Sequence, residues 1–596
     1  MPRSSALYIL VKQISSAVLL LALLCASPLC AQTAPSRGVP SKFRASNATP
    51  KLVVVLVVDQ MRGDYADKFQ QQWTGGLKRL IEEGAWFHEA AFPYAETETC
   101  VGHATISTGA LPGTHGMVAN EWWDREQQKH ITCTADAAVN NIGYAGANVS
   151  GGDSAAKMLL PSFADELKIQ SSAQGRIVTM SLKARAAITL AGRQGDSVSW
   201  FDGITGAWLT SSAYPVADFA NEFVKAHPVA ADYGKTWAPL LPDSAYLYEQ
   251  VSAGAGPPAG YGAAFPHPLR GNAESKGPDP SFYSQWATSP YAETYLEQMA
   301  EAAIDKLNLG KNPGTDFLGI SFSSVDYVGH AFGPRSWEVQ DELARLDRDL
   351  AALFAHLDKS VGQGNYVVAF SSDHGVSPIP EQLRKSGIDA GRLNLDQAKV
   401  DIEKALERFH FSESTVADID GGNIYFTPGT YSKLKSDAGA TQAVVDALQK
   451  IPGVAHVYTA EQMDGRPATE NPIRAAEAAG FLKSRSGDLI IAPKPYWIWD
   501  YSTAVRPVRG GTSHGTPYYY DQRVPVILMG WGIRPGKYFS SATPADIAPT
   551  LASLCGITLA TRDSRILQEA LASSKAEKSP PLRSPSPRKE KLPSRQ

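Results

Sequence analysis

The chain has 596 residues, of which 43% are hydrophobic and 19% are charged, and its formal net charge at pH 7 is -4. This hydrophobic fraction and this small charge exclude a chain that is disordered throughout, and they argue against a nucleic-acid-binding protein with a basic surface. The length corresponds to roughly two to four average domains, or to one elaborated α/β enzyme domain.

Residues 1–31 have the layout of a secretory signal peptide. Arg3 and Lys12 precede an apolar run over residues 17–26, and the small residue Ala31 follows it. The run is too short to span a bilayer, and no later stretch approaches about 18 consecutive apolar residues. We therefore expect a secreted protein with no stable membrane span, periplasmic if the source is Gram-negative, in which residues 32–50 form a linker.

The far end of the chain and the cysteines carry no catalytic signal. Residues 573–596 contain seven Lys or Arg, two Glu and five Pro, which predicts a disordered basic tail. Cys100, Cys133 and Cys555 remain after the leader, too few for a disulfide scaffold and too scattered for a thiolate zinc site. An oxidising compartment permits a Cys100–Cys133 bridge, to which we assign a structural role only.

Apolar runs predict buried strands, and most of them lead into polar residues. They are KLVVVLVVDQ, which reaches Asp59; RIVTMSLKAR, which carries Lys183 and Arg185; DFLGISFSSVD, which ends on Asp326; NYVVAFSSDHG, which reaches Asp373 and His374; and VPVILMGWG. Such continuous Val, Ile and Leu runs indicate strands covered on both faces, as in a parallel sheet. Ligands of these sheets bind beyond the carboxyl ends of the strands, where these polar side chains would gather.

Helical periods lie between the predicted strands, for example over residues 291–307 and 337–357. The alternation predicts an α/β sandwich with a mostly parallel central sheet and helices on both faces. Residues 201–290 are rich in Pro, Gly, Trp and Tyr and only weakly periodic. We interpret them as a cap-like insertion that shapes the approach to the site, within a single catalytic domain over residues 51–572.

Metal-ligand side chains give the strongest signal. Asp326 and His330 are four residues apart, so on a helix they face the same way and share an ion. Asp373 and His374 are adjacent at a predicted strand end. With Asp59 and His514 they make three carboxylates and three imidazoles, about what two zinc ions need if each keeps a position open for substrate. Each element alone is a weak signal, and the other histidines, including His115 and His130, are taken as structural.

A hydroxyl nucleophile has several candidates. The Gly-rich segment over residues 95–124 offers the hydroxyls of Thr97, Thr99, Thr105, Ser107, Thr108 and Thr114. A hydroxyl is a weak nucleophile at its free pKa, and coordination to zinc makes the alkoxide accessible. A transferring phosphoryl group also needs donors for its oxygens, for which Asn120, Lys183 and Arg185 are suitable.

Five motifs in order carry a family resemblance. TCVGHATISTG with Asn120 downstream, SLKAR, VDYVGH, SSDHG and TSHGT together resemble the alkaline phosphatase superfamily, and within it the phosphate-irrepressible alkaline phosphatase group, which uses threonine as nucleophile. The resemblance covers residues 51–557. It implies an alkaline-phosphatase-like sandwich and hydrolysis of phosphate monoesters through a phosphothreonine intermediate, with two Zn²⁺ as cofactors.

The resemblance also implies a role for each motif residue. Thr99 would be the nucleophile, and Asn120, Lys183 and Arg185 would contact the phosphoryl oxygens. Asp326, His330 and His514 would hold one zinc ion; Asp59, Asp373 and His374 would hold the other, which also contacts Thr99. His103 receives no role and is taken as structural. Ala184 stands where the pattern often has an acidic residue, which affects the fine positioning of Arg185.

Other functions remain as alternatives. A nucleotide pyrophosphatase/phosphodiesterase shares the two-zinc set, the Thr and the Asn, and the Lys-x-Arg pair favours a monoesterase because a monoester carries one more negative charge. Cys100 is followed by Val-Gly-His, which excludes a sulfatase. Residues 511–515 match the G-x-S-x-G elbow of serine hydrolases, but Pro517 follows where a helix should begin. A binding protein that has lost catalysis is less consistent with the full ligand set.

The expected protein is therefore a two-zinc phosphomonoesterase acting on small phosphorylated substrates. No P-loop motif is present, which leaves an ATP-driven enzyme unsupported. We expect no nucleic acid partner and a monomer.

Overall fold

The central strand of the fold is buried along its whole length. In the computed structural model, which describes residues 49–172, 174–411, 414–466, 470–500 and 510–572, the run LVVVLVV forms the strand β1 (Leu52–Val58). Leu52, Val54 and Leu56 face one hydrophobic core, and Val53 and Val55 face a second core on the other side of the sheet. Burial on both faces is the reason the sequence shows no polar alternation here.

The remaining strands follow along the chain. They are β2 (Ala85–Phe87), β3 (Glu121–Asp124), β4 (Lys129–Thr132), β5 (Asn141–Gly143), β6 (Ile177–Ser181), β7 (Ser197–Phe201), β8 (Trp208–Ser211), β9 (Thr236–Trp237), β10 (His267–Pro268), β11 (Asp316–Phe322), β12 (Tyr366–Ser371), β13 (Gly391–Leu393), β14 (Val416–Asp420), β15 (Asn423–Phe426), β16 (Val454–Thr459), β17 (Leu489–Pro493), β18 (Trp497–Trp499), β19 (Val526–Gly530) and β20 (Gly536–Tyr538).

Ten of these strands form the central sheet, in the order β20-β2-β19-β12-β1-β11-β6-β7-β8-β5. The middle five strands, β12, β1, β11, β6 and β7, run parallel. Both flanks contain antiparallel pairs, since β19 runs against β12 and β2, and β8 runs against β7 and β5. The predicted mostly parallel sheet is confirmed. The run VPVILMGWG is a buried strand of this sheet but is antiparallel to its neighbours.

Helices cover both faces of the central sheet, as expected for an α/β sandwich, and others pack on a second sheet. They span Asp64–Phe69, Gly76–Glu83, Thr99–Thr108, Pro112–His115, Phe163–Gln170, Ala184–Ala191, Asp218–Ala226, Pro280–Ala287, Pro290–Lys306, Ser324–Phe332, Trp337–Leu357, Pro380–Lys385, Ala398–Leu406, Thr430–Ser436, Ala438–Leu448, Ala460–Met463, Pro472–Gly480, Tyr519–Gln522 and Ile547–Cys555. The two helices predicted from their periodicity are present at Pro290–Lys306 and Trp337–Leu357. Within the described ranges, no helix has both the length and the apolar character that a bilayer crossing requires.

A second, antiparallel sheet has the order β14-β15-β17-β16 and its own hydrophobic core. Helices Ala398–Leu406 and Ala438–Leu448 supply part of this core, including Ile402 and Val444. The sequence interpretation did not single out this region. Its loops matter for function because they border the candidate site described below.

Residues 201–290 are partly integrated into the central sheet. β8 joins the sheet beside β7, and aromatic side chains such as Trp237 and Phe282 pack into the main core. Gly254 O accepts a hydrogen bond from the amide of Gly511, and the Gly256 amide donates to Ala331 O. The segment therefore contacts the elements that carry the site, and its description as an inserted cap stays a prediction. The predicted signal peptide and basic tail lie outside the described residues.

Candidate active site

The predicted ligand residues come together in two groups at the carboxyl edge of the sheet. In each group the ligand-type atoms lie within 4.8 Å of one another: Asp326, His330 and His514 form one group, and Asp59, Asp373 and His374 form the other. Asp59 directly follows β1, Asp373 follows β12, and Asp326 lies in the helix after β11. These three strands are parallel neighbours, so their carboxyl ends meet at one edge.

The three imidazoles of these groups are oriented by backbone carbonyls. Nδ1 of each ring lies at hydrogen-bond distance from a carbonyl oxygen: His330 from Thr512 O at 2.8 Å, His374 from Gly375 O at 2.9 Å and His514 from Thr97 O at 2.7 Å. A carbonyl only accepts, so each Nδ1 carries the proton and Nε2 is left as the ligand atom. The Nε2 atoms of His330 and His514 lie 3.2 and 3.9 Å from Oδ1 of Asp326.

Buried atoms without partners test whether the site fits a cation. Oδ1 of Asp59, Oδ2 of Asp373 and Nε2 of His374 are buried and make no hydrogen bond of good geometry. Such groups are costly to bury unless they are paired or coordinate a metal. Nitrogen and carboxylate ligands without thiolates are a donor set that zinc accepts. The residues present therefore fit divalent metal ions.

Burial and close charges shift the pKa values of the site residues in both directions, and although burial opposes the charge of His330, Asp326 raises its pKa. Burial, and secondly the charge of Asp373, raise the pKa of Asp59 well above its usual range. Burial opposes ionisation of Asp326 as well, but Lys183 and His330 hold its pKa well below its usual range. Burial lowers the pKa of His374 and that of His514, which favours the neutral imidazole that binds metals.

Thr99 lies between the two groups and the predicted cationic pair. It is the first residue of the helix Thr99–Thr108 and is buried. Lys183 Nζ and Arg185 Nη2 each lie 3.3 Å from its Oγ1. Lys183 also contacts both ligand groups, at 2.7 Å from Asp59 Oδ2 and 2.5 Å from Asp326 Oδ2. A helix N-terminus with two cations beside its hydroxyl favours a bound anion.

A close helix contact fixes the position of Thr99. Gly102 packs against the end of β12, where a Cβ on Gly102 would lie only 2.1 Å from the carbonyl oxygen of Asp373. Real Cβ atoms do not approach a backbone oxygen this closely, so a glycine is required. The helix Thr99–Thr108 and the Asp373 turn are therefore held in direct backbone contact.

Asn120 is held beside Thr99 by its neighbours in space. Its side-chain Oδ1 accepts from the backbone amide of Cys100 at 2.9 Å, and its backbone amide donates to Glu98 Oε2 at 2.6 Å. Cys100 and Cys133 form a disulfide, a pairing that the sequence left open, and the Cys133 amide donates to the carbonyl of Asn120. Cys555 is free and buried. The bridge thus ties the start of the helix Thr99–Thr108 to the loop that carries Asn120.

A cavity of about 330 Å³ opens onto these residues. Thr99, Asn120, Lys183 and Arg185 line it, together with Arg392 and Trp499 from the two-stranded sheet of β13 and β18. Sequence reasoning did not assign Arg392 or Trp499, because nothing in their local sequence marks them as neighbours of the strand ends.

Gln60 is another residue that the sequence interpretation missed. It is fully buried, its amide donates to Asp373 Oδ1 at 3.1 Å, and its side-chain Nε2 donates to Asp326 Oδ1 at 2.6 Å. It therefore bridges the two ligand groups. Its only sequence signal is its place after Asp59, and its left-handed φ of 66° is not readable from the sequence.

Two further features have no assigned role at this site. Glu121, His130 and Asp420 form a third cluster of ligand-type atoms, but Glu121 and His130 are exposed. Ser513 of the G-x-S-x-G match lies in an irregular segment, and residues 511–518 form no helix. The strand-to-helix elbow that a serine hydrolase requires is therefore absent at this motif.

Comparisons with known proteins agree with this geometry. Residues 53–517 match the family model of type I phosphodiesterase / nucleotide pyrophosphatase. The chain belongs to this family. It is 32% identical over 552 residues to alkaline phosphatase PhoV of Synechococcus elongatus, covering 90% of this chain and 96% of that protein. It is 34% identical over 526 residues to alkaline phosphatase PafA of Elizabethkingia meningoseptica, covering 85% and 92%.

Structures related to this family match over most of the chain. The crystal structure of wild-type PafA aligns with a TM-score of 0.77 at 32% identity, covering 89% of this chain and 100% of that one. Murine ectonucleotide pyrophosphatase / phosphodiesterase 5 aligns with a TM-score of 0.50 at 15% identity, which shows the fold alone. The resemblance to the alkaline phosphatase superfamily and the predicted fold class are confirmed.

Proposed function

We propose that the protein is an alkaline phosphatase that hydrolyses phosphate monoesters with Thr99 as nucleophile. The observation that carries this proposal is the pair Lys183 and Arg185, whose cationic groups both lie 3.3 Å from the Thr99 hydroxyl. A monoester phosphoryl group bears one more negative charge than a diester. Two extra cations beside the nucleophile therefore favour the monoester selectively. The names of the relatives PhoV and PafA agree with this activity.

Each site residue then has a role set by its position. Thr99, at the start of a helix, attacks phosphorus through its hydroxyl oxygen while the P–O bond to the alcohol of the substrate breaks and the alcohol leaves; water then hydrolyses the phosphothreonine and releases phosphate. Asn120, Lys183 and Arg185 contact the phosphoryl oxygens. Asp326, His330 and His514 would hold one zinc ion, and Asp59, Asp373 and His374 would hold another. When bound, zinc supplies Lewis-acid stabilisation of charged oxygens at this edge of the sheet.

A phosphodiesterase is the second candidate, because the matching family model is described as a phosphodiesterase / nucleotide pyrophosphatase. The same two ligand groups and Thr99 would serve either substrate. Lys183 and Arg185 distinguish the two, since a diester has no third charged oxygen for them to neutralise.

The test compares hydrolysis of p-nitrophenyl phosphate and bis-p-nitrophenyl phosphate by the purified protein and by the Lys183→Ala/Arg185→Ala double variant. We expect the parent to prefer the monoester and the variant to lose on the order of 10²- to 10³-fold in monoester kcat/KM, with a smaller loss for the diester. Arg392→Ala is the matched control, because Arg392 lines the same cavity but pairs with Glu381 and Gly511 O. A parent that prefers the diester, or that keeps full activity after chelation of its metal, contradicts the proposal.

The protein is also proposed to be exported. The sequence of residues 1–31 supports a signal peptide, and a disulfide such as Cys100–Cys133 is typical of proteins in an oxidising compartment.

A further inference from the structure

His103 lies one helical turn after Thr99, and its side chain is completely buried. Its Nδ1 lies 2.8 Å from the carbonyl oxygen of Thr99 and 3.2 Å from Oδ2 of Asp373. Its Nε2 lies 2.8 Å from the hydroxyl of Ser321, on β11. One imidazole therefore touches the nucleophile residue, the turn that carries a metal-ligand candidate, and a central strand of the sheet.

The hydrogen-bond partners decide which ring nitrogen of His103 carries a proton. A carbonyl oxygen and a carboxylate oxygen both accept, so Nδ1 must carry a proton. The Ser321 hydroxyl can donate to Nε2, so the neutral ring satisfies all three contacts. The arrangement needs no charge on His103.

The Nδ1–H group of His103 is shared between two parts of the site. Oδ2 of Asp373 is buried and makes no hydrogen bond of good geometry, as expected for an atom that ligates a metal. A donor at 3.2 Å beside this oxygen limits the rotation of the carboxylate. The same donor holds the first turn of the nucleophile helix through Thr99 O. Partners behind metal ligands fix ligand orientation in this way and tune metal affinity.

We propose that His103 is a positioning residue that couples the placement of Thr99 to the orientation of Asp373 in the metal site. The proposal rests on the proposed function, because it gives Thr99 and Asp373 the roles of nucleophile and metal ligand. His103 does not face the substrate cavity, so it acts only through these two residues.

His115 provides a comparison within the same part of the fold. It is also completely buried, with Nε2 3.0 Å from the Thr105 hydroxyl and Nδ1 accepting from the Met117 amide. Neither partner is a ligand candidate or touches Thr99. A change at His115 therefore measures what loss of a buried histidine costs the fold alone.

The test uses His103→Gln, His103→Asn and His115→Gln in the full-length protein. The Asn amide nitrogen takes the place of the imidazole Nδ1, whereas a Gln amide reaches only the place of Nε2. Zinc affinity is measured by competition with a chelating dye, thermal unfolding by calorimetry, and kcat and KM with p-nitrophenyl phosphate at saturating zinc.

We expect His103→Gln to lower zinc affinity and kcat on the order of 10- to 100-fold with little change in KM, and His103→Asn to restore both to within about threefold of the parent. His115→Gln should lower the unfolding temperature and leave zinc affinity unchanged. Equal losses in the Asn and Gln variants of His103, or parent-like zinc affinity in His103→Gln, would overturn the proposal.

The zinc and activity measurements also separate the role of His103 from the proposed function. A parent that binds zinc but hydrolyses no monoester contradicts the proposed activity, while the zinc measurements still decide the role of His103. A parent that binds no zinc overturns both.

Discussion

The hydroxyl of Thr99 is singled out from the other hydroxyls of its segment by its neighbours. Thr99 is buried, and the ammonium of Lys183 and the guanidinium of Arg185 both lie 3.3 Å from its Oγ1. Thr99→Ala removes the attacking oxygen, so we expect a loss in kcat on the order of 10³-fold or more. Thr99→Ser keeps a hydroxyl at this position and should retain most of the activity. Steady-state hydrolysis of p-nitrophenyl phosphate measures both.

Thr105 is the matched control for this substitution. It lies on the same helix and is buried, but its hydroxyl bonds to Tyr94 and His115, away from the ligand groups. Thr105→Ala should lower stability by about 1–3 kcal/mol and leave kcat near the parent value. Activity in Thr99→Ala comparable to that of Thr105→Ala would show that another hydroxyl is the nucleophile.

The sequence predicted side chains whose chemistry is visible in their residue type. Asp59, Asp326 and His330 were recognisable because they follow apolar runs and have ligand-type groups. Gln60 was not, because its amide is chemically ordinary and its role depends on a left-handed backbone and on two partners about 270 and 310 residues away. The pairing of His103 with Asp373 depends in the same way on tertiary contact.

At the scale of elements, the site depends on the contact between the helix Thr99–Thr108 and the end of β12. Gly102→Ala would put a Cβ 2.1 Å from the carbonyl oxygen of Asp373, which forces the two backbones apart. Displacement of a nucleophile by about 1 Å can cost on the order of 10²-fold in rate, and overpacking costs about 1–3 kcal/mol of stability. We expect both losses, measured by kcat and by urea unfolding.

Gly203→Ala is the control for the glycine substitution. Gly203 is exposed, and nothing lies within 4 Å of the position of an added Cβ. This variant should match the parent in kcat and in unfolding free energy. If Gly102→Ala also matched the parent, the helix would not be held by this contact.

Strands were predictable from the sequence where a run of mainly apolar residues was six or seven residues long. β1, β11 and β12 are six or seven residues, fully buried, and each appears as a continuous apolar run. The three-residue strands β2 and β20 offer too few residues for any periodicity, and they exist because β19 and β2 supply hydrogen-bond partners. The direction of β19 is set by the chain path that enters it, and its apolar run looks the same in either direction. The second sheet was missed because β14 and β16 are only partly buried and mix polar with apolar residues.

At the scale of the whole molecule, several carboxyl groups outside the two ligand groups are buried. Burial raises the pKa of Glu293, Glu477 and Asp521 to about 8 in each case, and raises that of Glu342 well above its usual range. A folded-state pKa above the unfolded value means that the folded protein binds more protons at intermediate pH. Stability is then greatest below the unfolded pKa and is lost as the pH rises through the folded pKa. The protein should therefore unfold more readily at pH 9 than at pH 6.

Glu293→Gln isolates one of these groups. Glu293 is fully buried, its Oε1 accepts from the Ser324 amide at the start of the helix that carries Asp326, and its Oε2 has no partner. Glutamine keeps the acceptor but cannot ionise, so the variant avoids the cost of burying a charge. With a folded pKa of about 8 against an unfolded value of 4.5, the stabilising effect of the substitution should grow by up to about 3 kcal/mol between pH 6 and pH 9. Urea unfolding at the two pH values, with zinc present, measures this difference.

Glu82→Gln, which changes an exposed side chain, is the control, and its effect on the unfolding free energy should be the same at pH 6 and pH 9. An equal effect of Glu293→Gln at both pH values would mean that Glu293 does not titrate in the folded protein over this range.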